Sequence, residues 1–190
     1  MTASDVEQVL SDSILYGNVL VERAEDRISA RLESDNSVVV TIERKGPRTR
    51  KNVPIGTRNP EYLRASVNDR EIKVLPGAGR VLKRTYRILV EIDDRCVSFR
   101  PKTIDTCAFI NGKPHEIEKV FGELQALADG SIDICWATAT TIKVLNKTIE
   151  PPEPTVEDVL VGCALAAAFG TGALSLTSII MGMVAAAIPG

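Results

Sequence analysis

The chain is short of the residues that usually carry chemistry. Among 190 residues there is one histidine, His115, and four cysteines with no C-x-x-C pair. A Ser-His-Asp or Cys-His catalytic site would have to use His115. It follows Pro114 just after Asn111-Gly112 and reads as an exposed turn residue. Zinc and thioredoxin-like sites lack their ligand spacing. The glycine loop Pro76–Arg80 has no G-x-x-x-x-G-K or G-x-G-x-x-G around it and reads as a turn. Asp93 and Asp94 are adjacent, so a strand would point them to opposite faces; they suit a turn better than an acid/base pair. These shortages point away from an enzyme, and no cofactor or metal is expected. Aromatic residues make up 4% of the chain, and only Tyr62 borders its most basic segment. The stacking platform of a single-strand nucleic-acid binder is therefore missing. The start, Met1-Thr2-Ala3-Ser4-Asp5, has no basic n-region or apolar h-region, so no secretory signal is expected.

Charge is missing altogether from Val159 to Pro189, which is 31 residues without Asp, Glu, Lys, Arg, His, Asn or Gln. Runs above about 18 such residues are transmembrane candidates. The expectation is a C-terminal membrane-anchor helix over 159–190, in contact with lipid through 159–189, with the main domain left on the cytosolic side (or, in a virion, on its interior or exterior). As one helix the run is ~46 Å long against ~30 Å of hydrocarbon, so it must tilt, kink near Gly170 and Gly172, or extend past the bilayer. Gly162, Ala166 and Gly170 recur every four positions, as do Ala168 with Gly172 and Gly182 with Ala186. Such small-residue faces let helices approach closely in lipid. Cys163 would then be a candidate for lipidation. The alternative is a buried helix, or bent pair, in the core of a water-soluble oligomer. Pro151, Pro152 and Pro154 make 150–158 an acidic, extended spacer.

The net charge of −2 is an average over unlike parts. Residues 44–87 are strongly basic and both flanks, 1–43 and 88–158, are acidic. Arg44, Lys45, Arg48, Arg50, Lys51 and Arg58 lie in one stretch with no acid, and Gly46, Pro47, Pro54 and Gly56 deny it regular structure. A loop this long in a compact domain is usually functional or disordered. Its charge suits nucleic-acid phosphates, anionic headgroups or an acidic partner, and Arg80, Lys83, Arg84 and Arg87 extend it if the fold brings them near. The plainer alternative is a solvated loop, or one held by the protein's own acidic flanks.

Elsewhere the code has period two. Ile28, Ala30 and Leu32 lead to Asp35-Asn36 and then Val38, Val40 and Ile42; similar pairs of runs flank Asn68-Asp69, Asp93-Asp94 and Asn111-Gly112. Four polar turns between alternating runs predict antiparallel hairpins, with Asn111-Gly112 the strongest two-residue signal. A last strand pair is expected at Ile132–Trp136 and Thr140–Leu145. Helical spacing appears over residues 4–10 and Glu116–Ala128, and Asn18–Leu32 admits a helix as well as strands. The predicted fold is mainly β, a sandwich or barrel-like core with one or two short helices, plus the C-terminal hydrophobic helix. The predicted domains are a β-rich domain 1–149, the spacer 150–158 and the anchor 159–190. The function expected is that of a non-enzymatic, membrane-anchored structural or docking protein in a larger assembly (a virion or phage component would fit), with protein partners or copies of itself. Two alternatives are binding of nucleic acid or another anionic surface through 44–58, and pore or fusion activity of the Gly/Ala-rich tail.

Overall fold

The alternating runs become eleven antiparallel strands, each paired to the next in chain order. They are β1 (Glu7–Asp12), β2 (Asn18–Arg23), β3 (Arg27–Leu32), β4 (Val39–Arg44), β5 (Leu63–Val67), β6 (Arg70–Pro76), β7 (Ile88–Ile92), β8 (Arg95–Pro101), β9 (Thr106–Ile110), β10 (Val120–Ala126) and β11 (Ile132–Trp136). The computed structural model describes residues 6–80, 82–142 and 147–172. The sheet curls into a nearly closed barrel. Alternate residues such as Val19, Val21, Ile28, Ala30, Val40, Ile42, Val90, Val97 and Phe99 point inward and are buried. This is the period-two rule of a sheet with one wet face. Asn68 and Asp93 take positive φ in the two-residue turns Val67–Arg70 and Ile92–Arg95, a conformation that Asn and Asp tolerate.

The barrel closes where β1 meets β11, and side chains close it. The Ile132 N–H donates to Ser11 Oγ at 2.8 Å, and Trp136 Nε1 donates to the Ser13 carbonyl at 2.8 Å. Arg23 crosses the same seam from β2 to the Gly130 carbonyl at 2.7 Å. Burial lowers the pKa of Arg23, and nearby Glu7 and Asp129 oppose that shift.

Eight strands make a barrel that its own side chains can fill; eleven leave a lumen. The helix α1 (Val156–Phe169) occupies it. Every residue from Asp158 to Phe169 is buried, and α1 packs on β2, β3, β4, β10 and β11. A helix apolar on all sides belongs in a core or in lipid. At 1.5 Å per residue α1 is ~21 Å long, matching the height of strands of five to seven residues. Its small side chains admit it to the lumen. A Cβ on Gly162 would sit 3.2 Å from the Phe109 ring and 3.3 Å from Leu124. Phe109 is itself wedged between Phe99 and Phe121, with ring centroids 5.3 and 5.1 Å away.

Several expectations are corrected. The apolar run does not form one helix over 159–190: α1 begins at Val156 and stops at Gly170, whose φ of 72° breaks it. Among the described residues no helix is long and apolar enough to cross a membrane. Residues 173–190, including Gly182 and Ala186, lie outside the described residues. Gly162, Ala166 and Ala168 pack inside the barrel, where the lumen, and not a second helix, requires small residues. Cys163 is fully buried there, closed to lipidation. The proline segment 150–158 runs without regular structure as far as Thr155 and then enters α1. Pro154 is buried, its carbonyl accepts from Tyr16 Oη at 2.8 Å, and the segment turns the chain back into the barrel. Residues 7–10 and 18–32 are strands, and Glu116–Ala128 is a 3-10 turn followed by β10. In each, sheet pairing overrides a local helical spacing. Asn111-Gly112 opens a connection running to Lys119 and is not a two-residue turn. Ile132–Trp136 pairs with β10, while β12 (Thr140–Ile142) pairs with β13 (Lys147–Ile149).

Candidate functional site

An up-and-down barrel sends alternate hairpins to opposite ends. At one end the five connections carry Glu33, Asp35, Asp69, Asp93, Asp94, Glu116 and Glu118 against Lys113 and Lys119. At the other they carry Lys45, Arg48, Arg50, Lys51, Arg58, Arg80, Lys83, Arg84, Arg87 and Lys102 against Glu25, Asp26, Glu61, Asp105 and Asp129. The molecule thus has an acidic end and a basic end.

The chain enters the lumen at the acidic end. Thr155 caps α1 in a reciprocal pair with Asp158, whose side chain accepts from the Thr155 N–H at 2.9 Å. Arg95 donates to Asp158 at 2.5 Å and to Glu157 at 2.9 Å, and Arg70 bridges Glu157 to Asp93. Burial opposes the charge on Arg95, but its bonds to Asp158 and Glu157 outweigh that and hold its pKa above the usual arginine value. Two acids in the first helical turn also suit the helix dipole.

The helix finishes at the basic end, where the predicted basic loop seals it. Val53, Ile55, Thr57 and Arg58 are buried, and the Ile55 N–H caps the Ala168 carbonyl at 3.0 Å. Most of the loop's cations hold this seal together. Arg44 donates to the carbonyls of Ile55 at 2.9 Å and Gly46 at 2.7 Å, Arg50 to Ala78 at 3.0 Å, and Lys45 pairs with Glu43 at 2.5 Å. Arg58 is the most enclosed. It donates to the carbonyls of Gly77 at 2.7 Å and Tyr86 at 3.0 Å and lies over the rings of Tyr86 and Phe169. Burial pushes its pKa down to about 10. The last helical residue beneath it places the negative end of the helix dipole nearby. Lys51 and Arg48 are exposed, with Arg48 reaching only long contacts to Val53 and Pro54.

Beyond Phe169 the chain heads out through this end. Thr171 Oγ1 donates to the Asp105 carbonyl at 2.5 Å and accepts from the Ala126 N–H at 2.8 Å. The Gly172 N–H reaches Cys107 Sγ at 3.1 Å, and a Cβ on Gly172 would run into the Ile104 carbonyl. The described chain therefore stops beside the β8–β9 connection, within the basic rim.

The sequence reading missed Arg100, Lys102, Leu82 and Ile104. Strand pairing carries Arg100 and Lys102 to the basic end, and nothing local marks them. Leu82 and Ile104 are loop residues at that end, 53% and 61% exposed. His115 lies exposed in the β9–β10 connection. Cys107 and Cys163 are buried, and burial pushes each thiol up to about 12. Among the described residues no three His, Cys, Asp or Glu side chains gather to hold a metal. In comparisons with protein families, curated proteins and solved structures, the chain matches none.

Proposed function

We propose that this is a membrane-anchored docking protein whose barrel holds an apolar segment, residues 173–190, against a bilayer at its basic end. One observation carries the reading: α1 threads the lumen and delivers the chain to the rim where the connections are richest in Lys and Arg. Eighteen uncharged residues follow Gly172. In helical form they reach ~27 Å, close to the ~30 Å hydrocarbon core. The 31-residue run is too long for that core; the barrel takes up its first part. Cations beside an apolar segment favour anionic leaflets.

The barrel supplies rigidity. α1 packs in its lumen, and the clefts recorded among the described residues lie open at the surface. The opposite end exposes Leu10, Ile14 and Leu15, apolar side chains that favour a protein partner facing away from the membrane. The test is flotation of the full chain and of residues 1–172 with phosphatidylcholine vesicles. The full chain should float and the shorter chain should not. Equal recovery of both in the lipid fraction, or of neither, overturns the reading.

A further inference from the structure

The basic rim is uneven. Arg44, Arg50 and Arg58 spend their guanidiniums on the protein's own carbonyls. The guanidiniums of a second group make no such bond among the described residues. Lys83, Arg84 and Arg87 in the β6–β7 connection and Arg100 on β8 line a shallow cleft of ≈ 260 Å³, closed on one side by Pro101. Among the described residues none of the four makes an ion pair, and no acid lines the cleft. Lys83 donates to the Lys102 carbonyl, which ties the β6–β7 and β8–β9 connections together. Four cations held close without a counter-charge repel one another. Such an arrangement is stabilised when an anion enters, and three planar guanidinium forks suit phosphate oxygens.

Two apolar side chains stand at the same end. Leu82 immediately precedes Lys83, and Ile104 lies next to Asp105, whose carbonyl holds Thr171. Both are among the most exposed large apolar residues of the described chain. Exposed loop tips beside a cationic cleft are what an interface between headgroups and acyl chains accommodates: the apolar tips enter and the cations stay at phosphate level. A nucleic-acid backbone would satisfy the cations but leave Leu82 and Ile104 in water.

We infer that the cleft formed by Lys83, Arg84, Arg87 and Arg100 binds the phosphate groups of anionic lipids, with Leu82 and Ile104 inserting beside it. This site orients the barrel on the surface, and it rests on the reading of 173–190 as the membrane segment. The charge on the cleft sets which leaflet is chosen, while the tail sets whether any bilayer is bound.

The experiment measures partition of the full chain into phosphatidylcholine vesicles and into vesicles containing phosphatidylserine. It compares the wild type, an R84Q/R87Q/R100Q variant, an L82D/I104D variant and a K113Q/K119Q control at the opposite end. All the altered side chains lie at the surface or partly so, and a thermal melt checks each fold. The wild type should prefer phosphatidylserine, and the preference should fall with salt. At ~1 kcal/mol per cation near the surface, the triple variant should lose on the order of 100-fold of that preference. Its binding to phosphatidylcholine should stay as before. The L82D/I104D variant should weaken binding to phosphatidylserine vesicles, and the control should change neither. If the triple variant keeps the full preference, or the control loses as much, the cleft assignment is overturned while the tail reading stands. If the full chain binds neither vesicle, both fall. Salt-sensitive binding to single-stranded DNA, lost in the triple variant with no phosphatidylserine preference in the wild type, overturns the lipid assignment in favour of nucleic acid.

Discussion

Replacing Gly162 with leucine separates a helix that faces lipid from one that fills a barrel, because the two predict opposite signs. On a lipid-facing helix the change adds apolar area and removes a poor helix former, a gain of roughly 1 kcal/mol in helix propensity. Inside the barrel the new Cβ starts 3.2 Å from Phe109 and 3.3 Å from Leu124, already tighter than ordinary contact. Three further carbons then have to fit among side chains with no room to retreat. Phe109 is 0% and Leu124 1% exposed, and Phe109 is locked between Phe99 and Phe121. Overpacking a core in this way costs typically ~1–3 kcal/mol, occasionally more. Four new carbons in a site this closed put the cost in the upper part of that range, about 2–3 kcal/mol, and propensity returns about 1, so G162L should destabilise the barrel by about 1–2 kcal/mol. For a chain of this size that is a fall of roughly 2–8 °C in Tm. G162A, whose single methyl makes the close contact but regains the propensity, should lie near the wild type. Urea unfolding followed by circular dichroism reads both. A G162L protein as stable as the wild type, or more so, would refute the placement of α1 in the lumen.

Other consequences follow from the same packing. Ending the chain at 157 removes α1 and leaves the inner faces of β2, β3, β4, β10 and β11 without a partner, so 1–157 should not unfold cooperatively, whereas 1–172 should; circular dichroism melts decide it. R95A leaves Asp158, 2% exposed, without its cation. Because Arg95 is itself partly exposed, the loss should be about 1–3 kcal/mol in urea, with R95K recovering part of it. A thiol reagent near neutral pH should label Cys135, which is exposed, while Cys107 and Cys163 react only after unfolding. The same thiols make stability sensitive to alkali. Folded, they stay neutral up to about 12; unfolded, they lose their protons near the usual value of 9.0. Their contribution is whole below about pH 9 and is lost as pH rises towards 12, so the urea midpoint should fall over that window and fall less in C107A/C163A.

The hairpins were legible because their signal is local. Val38, Val40 and Ile42 after Asp35-Asn36 need only alternation and a turn to be recognised, and the same holds around Asn68-Asp69 and Asp93-Asp94. Where a segment satisfied two periods at once, local pattern failed. Leu20, Ala24, Ile28 and Leu32 are four apart, while Ile28, Ala30 and Leu32 alternate, and pairing with β2 and β4 chose the strand. The basic loop was visible as charge, but its division of labour was not. Arg58 and Arg44 became structural only once Gly77, Tyr86 and Ile55 offered carbonyls from other parts of the chain. Arg100 joined Lys83, Arg84 and Arg87 through strand pairing.

By itself the sequence determined that residues 159 onward carry no charge and that the rest alternates between wet and dry faces. The hydrophobic effect follows from area removed from water and is blind to what removes it. An uncharged run therefore states a need for burial without naming the medium. Only the tertiary structure decided that, for α1, the medium is the barrel's own lumen. Eleven strands enclose a space their side chains cannot fill, and a helix of small apolar residues is what fits there.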